Sequence, residues 1–245
     1  MPNAGYLDES VHWKVRTGRL GFAEPTYRDV AEAVVTSGLA TEVGQLLGSG
    51  KEADVYLCRD GRQLRAVKAY RQYRTSHRGG GSVKLEPMGQ RASRELELLT
   101  YAWQGGARVP EPGRRVENMF SMQYLGTAEA VAPRLQQVHL ADPETFLSAT
   151  VEGIEGLAEA GLVHSDLSPF NILVHEERPW FIDLAAALRV DRLGAPPGIR
   201  LHEALRSLEK GALALRRYFR KYDLEFDPEE LHHRVRAKIE LFRVD

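Results

Sequence analysis

Cysteine is nearly missing from this chain. Cys58 stands alone among 245 residues. Neither an intrachain disulfide nor a cysteine-built metal centre can form, and a reducing compartment fits. Long apolar runs are missing too. Nothing approaches the roughly 20 uninterrupted apolar residues that span a bilayer. The opening Met1-Pro2-Asn3-Ala4-Gly5-Tyr6-Leu7-Asp8-Glu9 lacks the basic-then-apolar layout of a secretory leader. These absences predict a cytoplasmic protein with no membrane partner. An excess of one charge is also lacking: the formal net charge is −1, so no global field draws the chain onto nucleic acid or anionic lipid. The local exception, Arg216, Arg217, Arg220 and Lys221, reads as a solvated helix face. No internal repeat is present. What remains is ordinary for a soluble globular protein, with 43% apolar and 27% charged residues. It suffices for one large domain or for two lobes sharing a cleft.

The pattern along the chain runs from strands to helices. Residues 1–40 form an extension whose clearest element is a helix from Tyr27 to about Ser37, stopped by Gly38. Strands follow. Val43–Gly48 leads into the turn Ser49-Gly50-Lys51-Glu52, and Ala53–Cys58 alternates. Asp60-Gly61 signals a tight turn, and Leu64–Tyr70 returns as the next strand of an antiparallel sheet of at least three strands. Residues 74–90, with Gly79-Gly80-Gly81 and Pro87, read as a mobile loop. A helix around Ala92–Trp103 follows, with Leu96 and Leu99 on its buried side. Pro110 and Pro112 punctuate the next connection, and Met119–Gly126 reads as a buried strand running into a hinge. Asp142-Pro143-Glu144 and Asp227-Pro228-Glu229 are two helix starts, each with a capping acid, a proline at the first position and an acid in the first turn. The first of these helices stops at Gly161; the second presents Leu231, Val235 and Ile239 on one face. Another helix spans about Leu201–Tyr222. The expected fold is therefore α+β and two-lobed: extension 1–40, sheet-rich lobe 41–125, and mainly helical lobe 126–245.

Chemistry concentrates in Leu162-Val163-His164-Ser165-Asp166-Leu167-Ser168-Pro169-Phe170-Asn171-Ile172-Leu173-Val174 and in Trp180-Phe181-Ile182-Asp183-Leu184. Asp166, Asn171 and Asp183 have the spacing of a protein-kinase-like phosphotransfer site. A loop carboxylate such as Asp166 can accept a hydrogen bond from an attacking hydroxyl and orient it. An amide oxygen at Asn171 and a carboxylate at Asp183 suit Mg²⁺, which prefers oxygen ligands. Alone, each is a common loop, turn or strand-end residue; together they are not. His164 reads as a buttress of the loop. Lys68, flanked by apolar residues on a strand, is costly unless paired. Phosphates and an acid on the following helix would pair it, Glu95 being the candidate with Glu97 two residues on. The turn Gly48-Ser49-Gly50-Lys51-Glu52-Ala53 offers backbone N–H groups to phosphate. Its spacing is not that of a GxxxxGK[ST] loop.

These residues resemble the RIO family of atypical serine/threonine protein kinases. The resemblance rests on Gly50-Lys51-Glu52-Ala53-Asp54-Val55-Tyr56, Ala66-Val67-Lys68, His164-Ser165-Asp166-Leu167-Ser168-Pro169-Phe170-Asn171-Ile172-Leu173 and Phe181-Ile182-Asp183, and covers about Gly48 to Tyr222. It implies a trimmed kinase fold that uses ATP with Mg²⁺ and has no activation segment. Consistently, neither Phe-Gly follows Asp183 nor Ala-Pro-Glu comes later. It also implies that Asp183 can itself accept phosphate, and that Ser49, Gly50, Lys51 and Glu52 flank the phosphates while Lys68 binds them. Met122 would be the gatekeeper, and Gln123 and Leu125 would offer backbone groups to adenine. Some members of the family act as ATPase switches in ribosomal-subunit maturation, so a ribosome-related partner follows by analogy. Two departures stand out. Lys210-Gly211-Ala212 occupies a neighbourhood where the family usually has an acid, and 40 residues cannot hold a winged-helix domain. A bacterial-type short member fits. Two other readings share parts of the pattern: a small-molecule phosphotransferase of aminoglycoside- or choline-kinase type, and a nucleotide-binding scaffold with little turnover.

Overall fold

The computed structural model describes residues 26–50, 52–70, 88–190 and 197–242. Of the sequence expectations, the extension before residue 26, Lys51 and most of the 74–90 loop lie outside the described residues. The chain divides into two compact units, one made of residues up to Leu96 together with Pro112–Tyr124, the other of Glu97–Glu111 and everything from Leu125 onward.

The first unit is built on a five-stranded antiparallel sheet in the order β1-β2-β3-β5-β4, with β1 Glu42–Ser49, β2 Ala53–Asp60, β3 Gln63–Tyr70, β4 Pro112–Val116 and β5 Met119–Gln123. Five strands fit the expectation of at least three; the one not foreseen is the edge strand β4, which begins at Pro112, taken as a break in the sequence. An edge position tolerates a residue that cannot donate to the ladder. At the Asp60-Gly61 turn, Asp60 pairs with Gln63 around a two-residue loop. Gly61 there has φ +59, a left-handed value that glycine adopts without penalty.

Helix α1, Tyr27–Thr36, lies against this sheet. Thr26 and Asp29 close a reciprocal capping box at its start: the Thr26 hydroxyl accepts from the Asp29 N–H, and the Asp29 carboxylate accepts from the Thr26 N–H at 2.6 Å. Its apolar stripe buries Val30 and Val34 against Tyr56, Cys58, Val67, Ala69 and Met119. Cys58 is buried there, which pushes its thiol up to about 12 and makes it a packing residue with no thiolate chemistry.

Helix α2 spans Met88–Gln104, so the last three residues of the expected loop are helical. Its buried positions are Ala92, Glu95, Leu98, Leu99 and Ala102; Leu96, expected inside, is only half-buried. The buried stripe is centred on the 92/95/99/102 line, one residue away from Leu96, as the helical period dictates.

The second unit holds helices α3 Pro143–Glu159, α4 Pro197–Phe219 and α5 Pro228–Phe242, and two short ladders. The ladders are β6 Leu162–Val163 with β9 Leu188–Arg189, and β7 Ile172–His175 with β8 Arg178–Phe181. Both expected caps form: Asp142 Oδ1 accepts from Thr145 N at 3.0 Å and Asp227 Oδ1 from Glu229 N at 2.9 Å. Leu231, Val235 and Ile239 are buried as their spacing requires, and α5 packs on α3 and α4. Among the described residues no helix is long and apolar enough to cross a membrane.

Candidate phosphotransfer site

In the second unit, the buried strand β6 feeds directly into the irregular segment 164–171. His164 is 2% exposed. Its Nε2 donates to Ile182 O at 3.1 Å and its Nδ1 accepts from Asp166 N at 3.3 Å. Made together, the two bonds require the neutral ring with its proton on Nε2. Burial lowers the pKa of His164, against the opposing pull of the Ile182 carbonyl and of the Asp183 and Asp166 charges. The imidazole is therefore a neutral cross-tie between the loop and the strand end that carries Asp183. Both carboxylates lie close enough to act on it.

Asn171, 8% exposed, is tied in the same way. Its Nδ2 donates to Asp166 O at 2.7 Å and to Asp166 Oδ2 at 3.1 Å. With the amide hydrogens engaged, Oδ1 is the atom of this side chain suited to ligate a cation. Its backbone is pinned as well: Asn171 N donates to Ser168 O, and Ile182 N donates to Asn171 O, each at 3.0 Å. Asp166 and Asp183 are both exposed. Asp183 sits at φ +63, ψ +62, a left-handed conformation that aspartate tolerates better than most residues. The sequence-predicted trio is therefore assembled on one scaffold, Asp166 joined to Asn171 through its amide and Asp183 through the ladder.

The expected metal donors, the Asp183 carboxylate and the Asn171 amide oxygen, are hard oxygen ligands, with the Asp166 carboxylate as a further negative charge. They fit Mg²⁺, which is commonly held by one or two carboxylates with water and phosphate completing the shell. Among the described residues no cluster of three or more His, Cys, Asp or Glu side chains is arranged to cage a metal by itself.

In the first unit, Lys68 lies in the middle of β3, paired with Val55 on one side and Phe120 on the other. Its Nζ reaches Glu95 Oε1 at 2.7 Å, with side-chain exposures of 13% and 5%. Tyr70 OH donates to the other carboxylate oxygen. The choice left open in the sequence is thus resolved for Glu95. Glu97 instead accepts from Arg189 Nη1 at 3.0 Å.

At the glycine turn, Gly50 N donates to Ala53 O at 2.9 Å, and Ser49 pairs with Asp54. The Glu52 carboxylate is bonded by Arg91 of α2, a partner that no local pattern in the sequence announced. Met122 and Gln123 stand on β5 opposite Ala66 and Arg65. Leu125, in the second unit, is buried and its carbonyl accepts from Ala132 N at 2.9 Å.

Sequence reasoning also missed Gly211. A Cβ built there would lie 2.6 Å from Leu167 Cβ and 2.7 Å from Leu167 O, so α4 supports the loop at a point where only glycine fits. A glycine inside a long helix, which costs about 1 kcal/mol against alanine, was the available signal.

A model of the RIO domain matches residues 55–231. The RIO-type serine/threonine-protein kinase Rio1 of Haloferax volcanii is 30% identical over 181 residues, covering 68% of this chain and 62% of that protein. Rio1 of Methanocaldococcus jannaschii is 30% identical over 164 residues, covering 60% of this chain and 56% of its own length. The chain thus spans about three fifths of the length of these curated relatives. Among solved structures, the Rio2 kinase–ADP/Mg²⁺–phosphoaspartate complex from Chaetomium thermophilum superposes with a TM-score of 0.66 at 20% identity, covering 95% of this chain and 79% of that one.

Proposed function

This chain belongs to the RIO domain family, and from that premise we propose that it is an ATP- and Mg²⁺-dependent phosphotransferase acting on serine/threonine hydroxyls or on water. The observation that carries the reading is the pair of hydrogen bonds that Asn171 Nδ2 donates to Asp166 O and Oδ2, which orients a catalytic carboxylate and a metal-facing amide oxygen with one side chain. Asp166 accepts the hydrogen bond of the attacking hydroxyl or water and aligns it. Asn171 Oδ1 and Asp183 hold the cation, which when bound neutralises developing charge on the phosphate oxygens. Lys68, ion-paired with Glu95, neutralises α/β-phosphate charge. By the family analogy Ser49, Gly50, Lys51 and Glu52 serve the phosphates, and Met122, Gln123 and Leu125 serve adenine.

A phosphoaspartate is present in the Rio2 complex from Chaetomium thermophilum. The corresponding step in this chain transfers the γ-phosphoryl group to a carboxylate oxygen of Asp183. The bond to ADP breaks, an acyl phosphate forms, and water later releases phosphate. A cytoplasmic location fits the single buried cysteine. A ribosome-related partner rests on the family alone.

The test is incubation with γ-labelled ATP and Mg²⁺, following label into water, the chain and added protein. Asp183→Asn is expected to abolish turnover and any acid-stable, hydroxylamine-labile label on the chain. Near-normal turnover in that variant refutes the metal role. Vigorous transfer to an amino sugar or choline favours the small-molecule reading instead.

A further inference from the structure

Strand β9 begins five residues after Asp183, with no activation segment between them. Leu162 pairs with Arg189 and Val163 with Leu188, so β9 is laddered to the strand that leads into His164 and Asp166. Val190 N adds a bond to Gly161 O at 2.9 Å. Asp166 thus lies three residues beyond β6, and Asp183 lies between β8 and β9, five residues before the strand that pairs with β6. That ladder is two residues long on each side, and so short a pairing has little stability of its own in water.

The side chain of Arg189 makes up the deficit. It is 13% exposed, donates to Glu97 Oε1 at 3.0 Å, and places its guanidinium 3.8 Å from the centroid of the Tyr101 ring. Charge-assisted bonding and stacking on an aromatic face are the two interactions arginine makes better than lysine. Glu97 and Tyr101 stand four residues apart on α2, on one helix face. They form a two-point clamp within the second unit.

We infer that Arg189 is a positioning residue for the metal-binding Asp183 and the catalytic Asp166: by fastening β9 to α2 it fixes the ladder whose two strands flank them. The inference rests on the function proposed above. It predicts that loosening the clamp weakens the metal site selectively. The group that touches metal is unchanged in such a variant, so the effect is that of an outer support, where losses of about 10- to 100-fold in metal affinity are typical.

The experiment is equilibrium binding of Mn²⁺ in the presence of ADP, read by electron paramagnetic resonance, alongside binding of ADP without metal. Arg189→Met is expected to weaken Mn²⁺ binding about tenfold and to leave metal-free ADP binding unchanged. Arg189→Lys, which keeps the charge but loses the planar stack, is expected to recover part of the affinity. A folded Met variant with wild-type Mn²⁺ affinity overturns the inference. So does an equal loss of Mn²⁺ and metal-free ADP binding, which marks a general structural defect. Should Arg189→Met fail to fold, Glu97→Gln is read by the same criteria, since the Glu97 side chain is 45% exposed and its charge is not needed for packing. Failure of the wild-type chain to bind Mn²⁺ with ADP at all removes the proposed function itself, an outcome distinct from a wild type that binds and a variant that binds equally well.

Discussion

Gly211→Ala sets two physical effects against each other. Gly211 lies inside the 23-residue helix α4, where alanine is favoured over glycine by about 1 kcal/mol from backbone entropy alone. Against this, the new methyl group would meet Leu167 Cβ at 2.6 Å and Leu167 O at 2.7 Å. Neither neighbour can step aside freely. Leu167 is buried, and its carbonyl belongs to the backbone between Asp166 and Asn171, which the Asn171 side chain and backbone hold at several points. The helix cannot retreat without uncovering Leu208, Ala212 and Leu215, all buried on the same element. Overpacking costs about 1–3 kcal/mol, and contacts this short, one of them to backbone, take the upper part, about 2–3 kcal/mol; after the helical gain of about 1 kcal/mol a net destabilisation of about 1–2 kcal/mol is expected. For a chain of this size that lowers Tm by roughly 2–8 °C. The strain falls on the residue next to Asp166, so ATP turnover measured well below the transition drops more than stability alone explains. Gly156 in α3 is the internal control. Nothing lies within 4 Å of a Cβ built there, and Gly156→Ala is expected to stabilise by about 1 kcal/mol with turnover unchanged. Thermal unfolding by circular dichroism and a phosphate-release assay on both variants decide the matter. If Gly211→Ala is stabilised like Gly156→Ala and fully active, the close seating of the loop on α4 is wrong.

Two other outcomes are expected. Burial holds the pKa of His164 below the usual histidine value of 6.5, so the folded chain binds fewer protons there than the unfolded chain. Its contribution to stability is complete above pH 6.5 and declines as pH falls through the depressed folded value. Denaturant midpoints compared between wild type and His164→Asn from pH 8 to pH 5 should converge toward the acid end; a gap that widens there contradicts the neutral cross-tie. The β7–β8 turn carries Glu176 at φ 52 and Glu177 at φ 57, both left-handed. Replacing the pair by Asn-Gly, the residues such a two-residue turn favours, should stabilise by about 1 kcal/mol in the same denaturation assay, and a loss of stability would show that the glutamates make compensating contacts.

Much of the site was legible because its chemistry is local. Asp166 and Asn171 lie five residues apart on one loop, and the bonds joining them form within that loop. The helix starts at Asp142 and Asp227 were readable for the same reason: a cap bonds an N–H two or three residues away. The stripe of Leu231, Val235 and Ile239 follows from helical period.

Other features lay beyond any local pattern. Glu95 and Glu97 look equivalent in the sequence, and only the rotation of α2 turns the first toward Lys68 and leaves the second for Arg189. Pro112 reads as a break until the neighbouring strand makes its position an edge. Arg91 meets Glu52, and Gly211 supports Leu167, across sequence gaps of about forty residues. The sequence by itself determined the loop chemistry, the caps and the element types, since these depend on neighbours along the chain. Tertiary packing alone decided which acid pairs with which base and where a side chain has no room, since those depend on atoms that only folding brings within a few ångströms.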